Sequence, residues 1–525
     1  MSNEASAQPN EYVTDVPYER TFVHQLTPST LRLVAALNGI TPPPEDDFDY
    51  LELGAANGDT LVALAAANPR ARFVGVDINP AHVTFANDLA KRAGVTNVRF
   101  LERDFEALVA EDLPSFDFIG AHGILSWVGP AKRKAVLDLA KAKLKPGGLL
   151  YVSYNALPGW SAIEPLRRLM LESSGAATGS TLDRARAGAT FAQGLSDAGA
   201  AYFANHPTVK SMLAIMEKAG LPYVVHEYFH AHWHPMYFAD LAREMIARDL
   251  EFVGQLPLPL NIRDLALPPA LKEIAKTAPD RIAYETVKDF ALNELFRSDV
   301  FVKSSVLPAE SALHEFFEKT SFGTTTAEIK RSVKLPIYSL DFAGPIYDAI
   351  VPEIARGTAT AAGLAARPEL KELGTRRIAD CLQNLTLGGQ VVPMRAPLMR
   401  HAPAPEAATK YRVPLAYNRL VIDDVLSGGG CPTVLASPTT GTGLPVTLIE
   451  MLCIHLLTEI EPSARTSWLR RFSHRKTPRL TIGEREITSG DEIVKIVTRE
   501  LDAFGGKSGK GLPKLIELGI VEPMA

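Results

Sequence analysis

The 525 residues are more than one hydrophobic core usually organises, so three or four domains are expected. Charged residues make up 22% and the formal net charge is −5, an ordinary balance that argues against general attraction to nucleic acid. Cys381, Cys431 and Cys453 stand far apart without a C-x-x-C, so neither a disulfide framework nor a structural zinc site is indicated, and a reducing cytoplasm fits.

The polar opening MSNEASAQPNEY carries no export signal, and residues 1–10 read as disordered. From Glu11 to Asn38 the chain leads into an amphipathic helix after Thr27-Pro28, where Pro suits the first turn. Tyr18, His24 and Gln25 belong to an arm that either packs or closes as a flap, and Pro42-Pro43-Pro44 is a stiff spacer. Asp49 to Asp77 then reads as strand, tight turn, helix, strand. Tyr50-Leu51-Glu52-Leu53 is apolar, Gly54 to Gly58 is a turn of small residues, Asp59 to Ala67 is Ala/Leu-rich, and Phe73 to Val76 is a buried strand closed by Asp77. A unit of this kind offers loop N–H groups and a helix N-terminus to negative charge, and an acid about 20 residues on can hold a ribose.

A dinucleotide site asks for G-x-G-x-x-G. Here the spacing is Glu52-x-Gly54-x-x-x-Gly58, with Ala56 at the middle glycine's place. An acid before the glycines repels a pyrophosphate but suits a zwitterion with an ammonium group, which favours S-adenosylmethionine (SAM) over NAD; an unliganded turn is the third reading. In this reading Glu52, Gly54, Gly58 and Asp77 contact the cofactor.

Further on, Asn79-Pro80 opens a helix and Asn97 to Leu101 forms a third strand, ending in Asp104 and Phe105. Asp104 is placed to accept from an adenine amine and Phe105 to offer an apolar face. Phe116 to Gly120 is a fourth strand running into the loop around His122 and Trp127; a helix, Lys145-Pro146-Gly147-Gly148 and strand Leu149–Tyr154 follow. Helical, Ala-rich text occupies 164–221, and strands at Glu251–Leu256 and Val300–Lys303 complete a seven-stranded sheet. The expected organisation is a SAM-binding core of 1–163 and 222–306, a helical insertion of 164–221 that covers the site or pairs two subunits, a middle unit of 307–393, a linker of 394–409 and a C-terminal unit of 410–525. The fold class is thus α/β, a Rossmann-like sheet with two smaller winged-helix-like α+β units.

Three other features invite chemistry. His226, His230, His232 and His234 suggest metal but lack a defined ligand set, and a histidine-rich loop near the pocket fits better. Gly505 to Lys510 is not a phosphate loop, because Leu501 stands where the motif needs Gly. Ala464 to Leu480 is basic without an acid and could meet nucleic acid, an acidic protein or only solvent. The longest apolar run, around Val446 to Leu457, is too short to cross a bilayer, so no membrane insertion is expected.

Together, ELGAANGDTL, GVDINP, AHGILSW, YNALPGW and HEY resemble bacterial class I SAM-dependent methyltransferases that carry a methyltransferase regulatory region, including rickettsial protein-lysine methyltransferases of outer-membrane proteins. The likeness covers about residues 25 to 305, with Ala55 where Cys is common. It implies methyl transfer with S-adenosylhomocysteine as product, a homodimer, and a protein lysine as acceptor; RNA or a small molecule, or a non-catalytic SAM-binding scaffold, are the alternatives. A lysine must shed its proton first, which costs about 4 to 5 kcal/mol at pH 7, and a dry aromatic pocket lowers that cost. Trp127, Tyr154, Asn155, Trp160 and Tyr228 are the residues expected at the acceptor, with Trp127 and Tyr154 beside the reacting groups and His122 as proton acceptor or orienter.

Overall fold

Seven strands form one mixed sheet: β1 (Asp49–Leu53), β2 (Arg72–Asp77), β3 (Val98–Glu102), β4 (Phe116–Ala121), β5 (Leu144–Asn155), β6 (Leu250–Gln255) and β7 (Phe296–Lys303), in the order β3-β2-β1-β4-β5-β7-β6. This is the Rossmann-like methyltransferase sheet that the sequence led us to expect. The computed structural model describes residues 16, 20–175, 177, 179–304, 309–326, 328–395, 410–475, 480–482, 485–505 and 511–524. The expected disordered start, Tyr18, linker residues 396–409, Lys476 and Arg479 of the basic run, and most of the rejected phosphate loop lie outside them.

The chain divides into two compact units: Met1–Glu19, Val76–Pro80 and Glu102–Ser305 in the first, Arg20–Gly75, Ala81–Leu101 and Val306–Ala525 in the second. In the second unit β1 is buried along its length after Asp49, as a strand covered on both faces must be. Helix α1 (Pro28–Leu37) starts on its proline, and α2 (Asp59–Ala67) is buried at almost every position, which its run of Ala and Leu permits. The hairpin of Val434–Ser437 and Thr442–Pro445 packs on α2, where the Asn68 side-chain amide donates to the Gly441 carbonyl at 2.9 Å. Arg20 bridges the same parts: its Nη2 lies 2.6 Å from Asp59 and 3.0 Å from the Cys431 sulfur, and Nη1 lies 3.8 Å from Asp424. Short antiparallel pairs, Phe322–Gly323 with Val392–Pro393 and Tyr411–Arg412 with Glu522–Pro523, accompany the remaining helices.

In the first unit β4 and β5 are parallel, whereas β7 runs antiparallel to both β5 and β6. Helices α3 (Pro80–Arg92), α4 (Phe105–Leu108) and α5 (Pro130–Lys143) link the earlier strands. Between β5 and β6 come α6 (Glu164–Ser173), α7 (Thr181–Asp197), α8 (Ala201–Asn205), α9 (Pro207–Ala219), α10 (Leu221–Tyr228) and α11 (Phe238–Ile246). A Ser180–Asp183 capping box opens α7. Helices α6 to α10 share one core with Trp160, including Leu166, Met170, Phe203, Met212 and Tyr228.

Two expectations are corrected here. Tyr223 to Tyr228 is helix, not the start of a histidine-rich loop, because Pro222 opens the turn and Val224, Val225 and Tyr228 face the insertion's core. β7 begins at Phe296 rather than Val300: Arg297 and Asp299 look unlike strand residues, yet they pair with Tyr154 and Val152 on β5 and neutralise each other inside.

Candidate active site

The corner after β1 belongs to the second unit. Gly54, Ala56 and Gly58 have φ of +75°, +44° and +74°, so three of five consecutive residues are left-handed. At Gly58 a Cβ would lie 2.7 Å from the Ala86 Cβ and 2.7 Å from the Phe100 ring, so only glycine fits. The Gly58 N–H donates to the Ala55 carbonyl at 2.9 Å, and α2 begins at the next residue. Left-handed turns that open a helix form anion cradles from backbone N–H groups. Glu52, 5% exposed, brings a carboxylate to the end of β1. Cradle and acid together fit the carboxylate and ammonium of SAM's methionine end, so Glu52, Gly54 and Gly58 would hold that end.

Asp77, Asp104 and Phe105 belong to the first unit. Asp77 ends β2, and its Oδ1 accepts from the Asn79 N–H at 2.8 Å, which fixes the carboxylate at a tight turn. Its neighbour Ile78 is 45% exposed, an apolar side chain displayed beside the proposed ribose acid. Sequence reasoning passed over Ile78; the signal available was an Ile in a strand-end turn with no core to join. Asp104 already has work: it caps α4, accepting from the Glu106 N–H at 3.2 Å, and pairs with Lys132 at 2.7 Å. Phe105 is half-buried at the first position of α4.

The loop after β4 is stitched to β5. Ser153 Oγ accepts from the Gly123 N–H at 2.8 Å, and Ser126 Oγ accepts from the Asn155 N–H at 2.9 Å. His122 Nδ1 lies 3.0 Å from both the Tyr151 hydroxyl and Ser153 Oγ. Because Tyr151 donates its proton to Ser298 at 3.1 Å, its oxygen acts as acceptor toward His122, which puts the ring proton on Nδ1 and leaves Nε2 bare. Burial pushes the His122 pKa down to about 4. The ordinary imidazole value that favoured it as a proton acceptor is therefore absent, and a neutral orienting ring is what the geometry supplies.

The aromatic residues separate into two groups. Tyr154 is fully buried, donates to Asp299 at 2.7 Å, and belongs to a buried ionic network. There Arg297 lies 2.5 Å from Asp289, 2.8 Å from Asp299 and 3.3 Å from Glu285, while Lys288 lies 2.5 Å from Glu285. The others form two ring clusters: Trp127 packs on His230 at 5.2 Å between ring centres, and Trp160 packs on Tyr228 at 5.9 Å and on Trp233 at 5.4 Å. Asn155 is 4% exposed, and its side-chain amide nitrogen has no hydrogen-bond partner among the described residues. Among the described residues no three His, Cys, Asp or Glu side chains converge as a metal site would require, and no helix is long and apolar enough to cross a membrane.

Comparison with known proteins extends this picture. Residues 44–185 match the family model described as a methyltransferase domain, and 221–303 match the predicted methyltransferase regulatory domain. An uncharacterised protein of Synechocystis sp., sll1526, is 30% identical over 446 residues, covering 84% of this chain and 87% of that one. An uncharacterised Rickettsia prowazekii protein, RP789, is 28% identical over 290 residues, 54% of this chain and 51% of its own length. The structure of PKMT2 from Rickettsia typhi in complex with AdoHcy superposes with a TM-score of 0.68 at 18% identity, covering 94% of this chain and 99% of that one. With the sheet, the glycine corner and both domain matches in agreement, the chain belongs to the family of SAM-dependent methyltransferases that carry a methyltransferase regulatory domain.

Proposed function

We propose that this methyltransferase acts on lysine side chains of a protein acceptor. The carrying observation is the contact of Trp127, on the loop after β4, with His230 of the regulatory segment, beside a second ring cluster of Trp160 with Tyr228 and Trp233. Bound SAM supplies an electrophilic methyl on a sulfonium. Glu52, Gly54 and Gly58 are assigned to its methionine end, Asp77 to the ribose, and Phe105 and Ile78 to the faces of the adenine. Asp104, already shared between the α4 cap and Lys132, keeps lone pairs for the adenine amine. The rings disfavour an ammonium and so promote the neutral amine that attacks in line, while their faces tolerate the methylated cation produced. His122 fixes the loop, and Asn155 offers its unpartnered amide to the acceptor.

The likeness to the Rickettsia typhi fold supports this reading. An RNA acceptor draws support from weaker relatives, such as a Chromohalobacter salexigens tRNA (guanine-N(7)-)-methyltransferase, 28% identical over 134 residues and spanning 24% of this chain and 53% of that one. Incubation of the purified chain with radiolabelled SAM and a lysate, followed by separation of protein, RNA and small metabolites, tests the proposal. Label in methylated lysine is the expected result; label confined to RNA or small metabolites, or none at all, overturns it.

A further inference from the structure

The glycine corner holds two acids, whereas the methionine end of the donor brings one cation and one anion. Glu52 ends β1 before the corner and is assigned to the ammonium. Asp59, 5% exposed, is the first residue of α2, immediately after Gly58. A carboxylate buried at that place acts against the anion that the backbone cradle receives, because little water screens it. The donor has no second cation to offset it.

Arg20 supplies that cation. Its Nε lies 3.2 and 3.1 Å from the two Asp59 oxygens and its Nη2 lies 2.6 Å from one of them. Such a forked contact needs a planar guanidinium and is beyond a lysine. Among the described residues Arg20 is the one cation at ion-pair distance from Asp59. Asp424, on the helix Ala416–Leu426, is farther, at 3.8 Å, so the charge is directed chiefly at Asp59. The guanidinium also lies 4.8 Å from the centre of the Phe85 ring on α3, and the next residue, Ala86, is one of the two that leave no room for a Cβ at Gly58. Three residues after Arg20, the Val23 N–H donates to Thr60 Oγ1 at 3.0 Å, so this stretch of chain lies along the first turn of α2. We propose that Arg20 is a positioning residue for the donor: by neutralising Asp59 it lets the Gly54–Gly58 cradle accept the carboxylate of SAM's methionine end. Arg20 acts through Asp59 on binding, not on the reacting methyl. The proposal rests on the assignment of the cradle to that carboxylate and is independent of which acceptor is methylated.

The test uses a matched pair of ligands, S-adenosylhomocysteine and its decarboxylated analogue, which keeps the ammonium and lacks the carboxylate. Both are titrated calorimetrically into the full chain at about pH 8, far above the ordinary aspartate value. Arg20→Met should bind S-adenosylhomocysteine about tenfold more weakly than wild type, while its affinity for the analogue should stay within about twofold. The double variant Arg20→Met/Asp59→Asn should return S-adenosylhomocysteine affinity to within about threefold of wild type, because the acid that needed a counter-charge is gone. Arg20→Lys should lie between wild type and Arg20→Met. A residue that merely braced the corner would weaken both ligands alike and would not be rescued by Asp59→Asn; either of those results, or unchanged S-adenosylhomocysteine affinity in Arg20→Met, overturns the proposal. Should Arg20→Met fail to fold, Arg20→Lys carries the same comparison of the two ligands, and equal weakening of both overturns the proposal there too. Equal affinity of the wild type for both ligands would remove the cradle assignment and the proposal with it, while leaving the methyl-transfer reading to its own radiolabel test.

Discussion

Replacing Arg297 with Met should destabilise the first unit by about 3 to 5 kcal/mol at neutral pH, the range for breaking a buried ion pair by deleting one partner. The expectation comes from what is left behind. Glu285 keeps Lys288 at 2.5 Å, but Asp289 and Asp299 lose the cation that bridges them at 2.5 and 2.8 Å. Asp299 retains the Tyr154 hydroxyl at 2.7 Å, while Asp289 keeps no ion pair among the described residues. Met would still fill the stem's place against Phe238, over which the guanidinium now lies at 4.1 Å, so lost packing is the smaller part. Burial already raises the Asp289 carboxyl to about 7 despite Arg297. With the guanidinium gone that value rises further, and a raised acid stabilises the fold at low pH and ceases to as pH climbs through its folded pKa. The penalty should thus be larger at about pH 8 than at about pH 5.5. Pulse proteolysis in urea, reading a fragment that contains β7, measures it without assuming that the whole chain unfolds in one step. A loss under about 1 kcal/mol at the higher pH, or the same loss at both, would refute the reasoning.

Asp77→Ala should weaken SAM binding by about 1.5 to 3 kcal/mol, the value of a hydrogen bond to a charged group; unchanged calorimetric affinity would remove the ribose assignment. Gly58→Ala should lose about 2 kcal/mol or more of stability, since left-handed backbone and overpacking each contribute about 1 to 3; thermal melts with and without SAM check this. For His122, a pKa lowered from 6.5 to about 4 stabilises the fold above pH 6.5, and that contribution disappears as pH falls toward 4. Partial exposure reduces the full value to about 2 kcal/mol, so His122→Gln should be that much less acid-sensitive than wild type in urea melts across this window. Gly159→Ala should slow turnover more than it weakens SAM binding, because a Cβ there would sit 2.3 Å from the Glu294 carbonyl oxygen and displace the segment carrying Trp160; steady-state kinetics alongside calorimetry read the difference.

The strand, glycine turn and helix from Asp49 to Ala67 could be read from sequence because each rule there is local: an apolar run, small residues, then a helix former series. β7 could not be read in full, since Arg297 and Asp299 are tolerable inside only through partners on α14 (Arg281–Leu292), which spacing along the chain does not reveal. That helix follows two short ones, α12 (Arg263–Ala266) and α13 (Pro269–Ala275). Asp104 was legible as an acid at a strand end, but its two structural partners, the α4 cap and Lys132, were not. His122 was found by its position, whereas its neutral state follows from burial, a property of the folded sheet.

The Arg20 side chain deserves a last consequence. By gripping Asp59 at the head of α2 together with Cys431 and Asp424, it fastens the far end of the polypeptide to the first turn after the glycine corner. Supplying residues 410–525 as a separate polypeptide would leave every motif residue of the methyltransferase sequence in place, yet it would turn an internal clasp into one that a dissociating fragment can release. Donor affinity would then depend on how concentrated that fragment is.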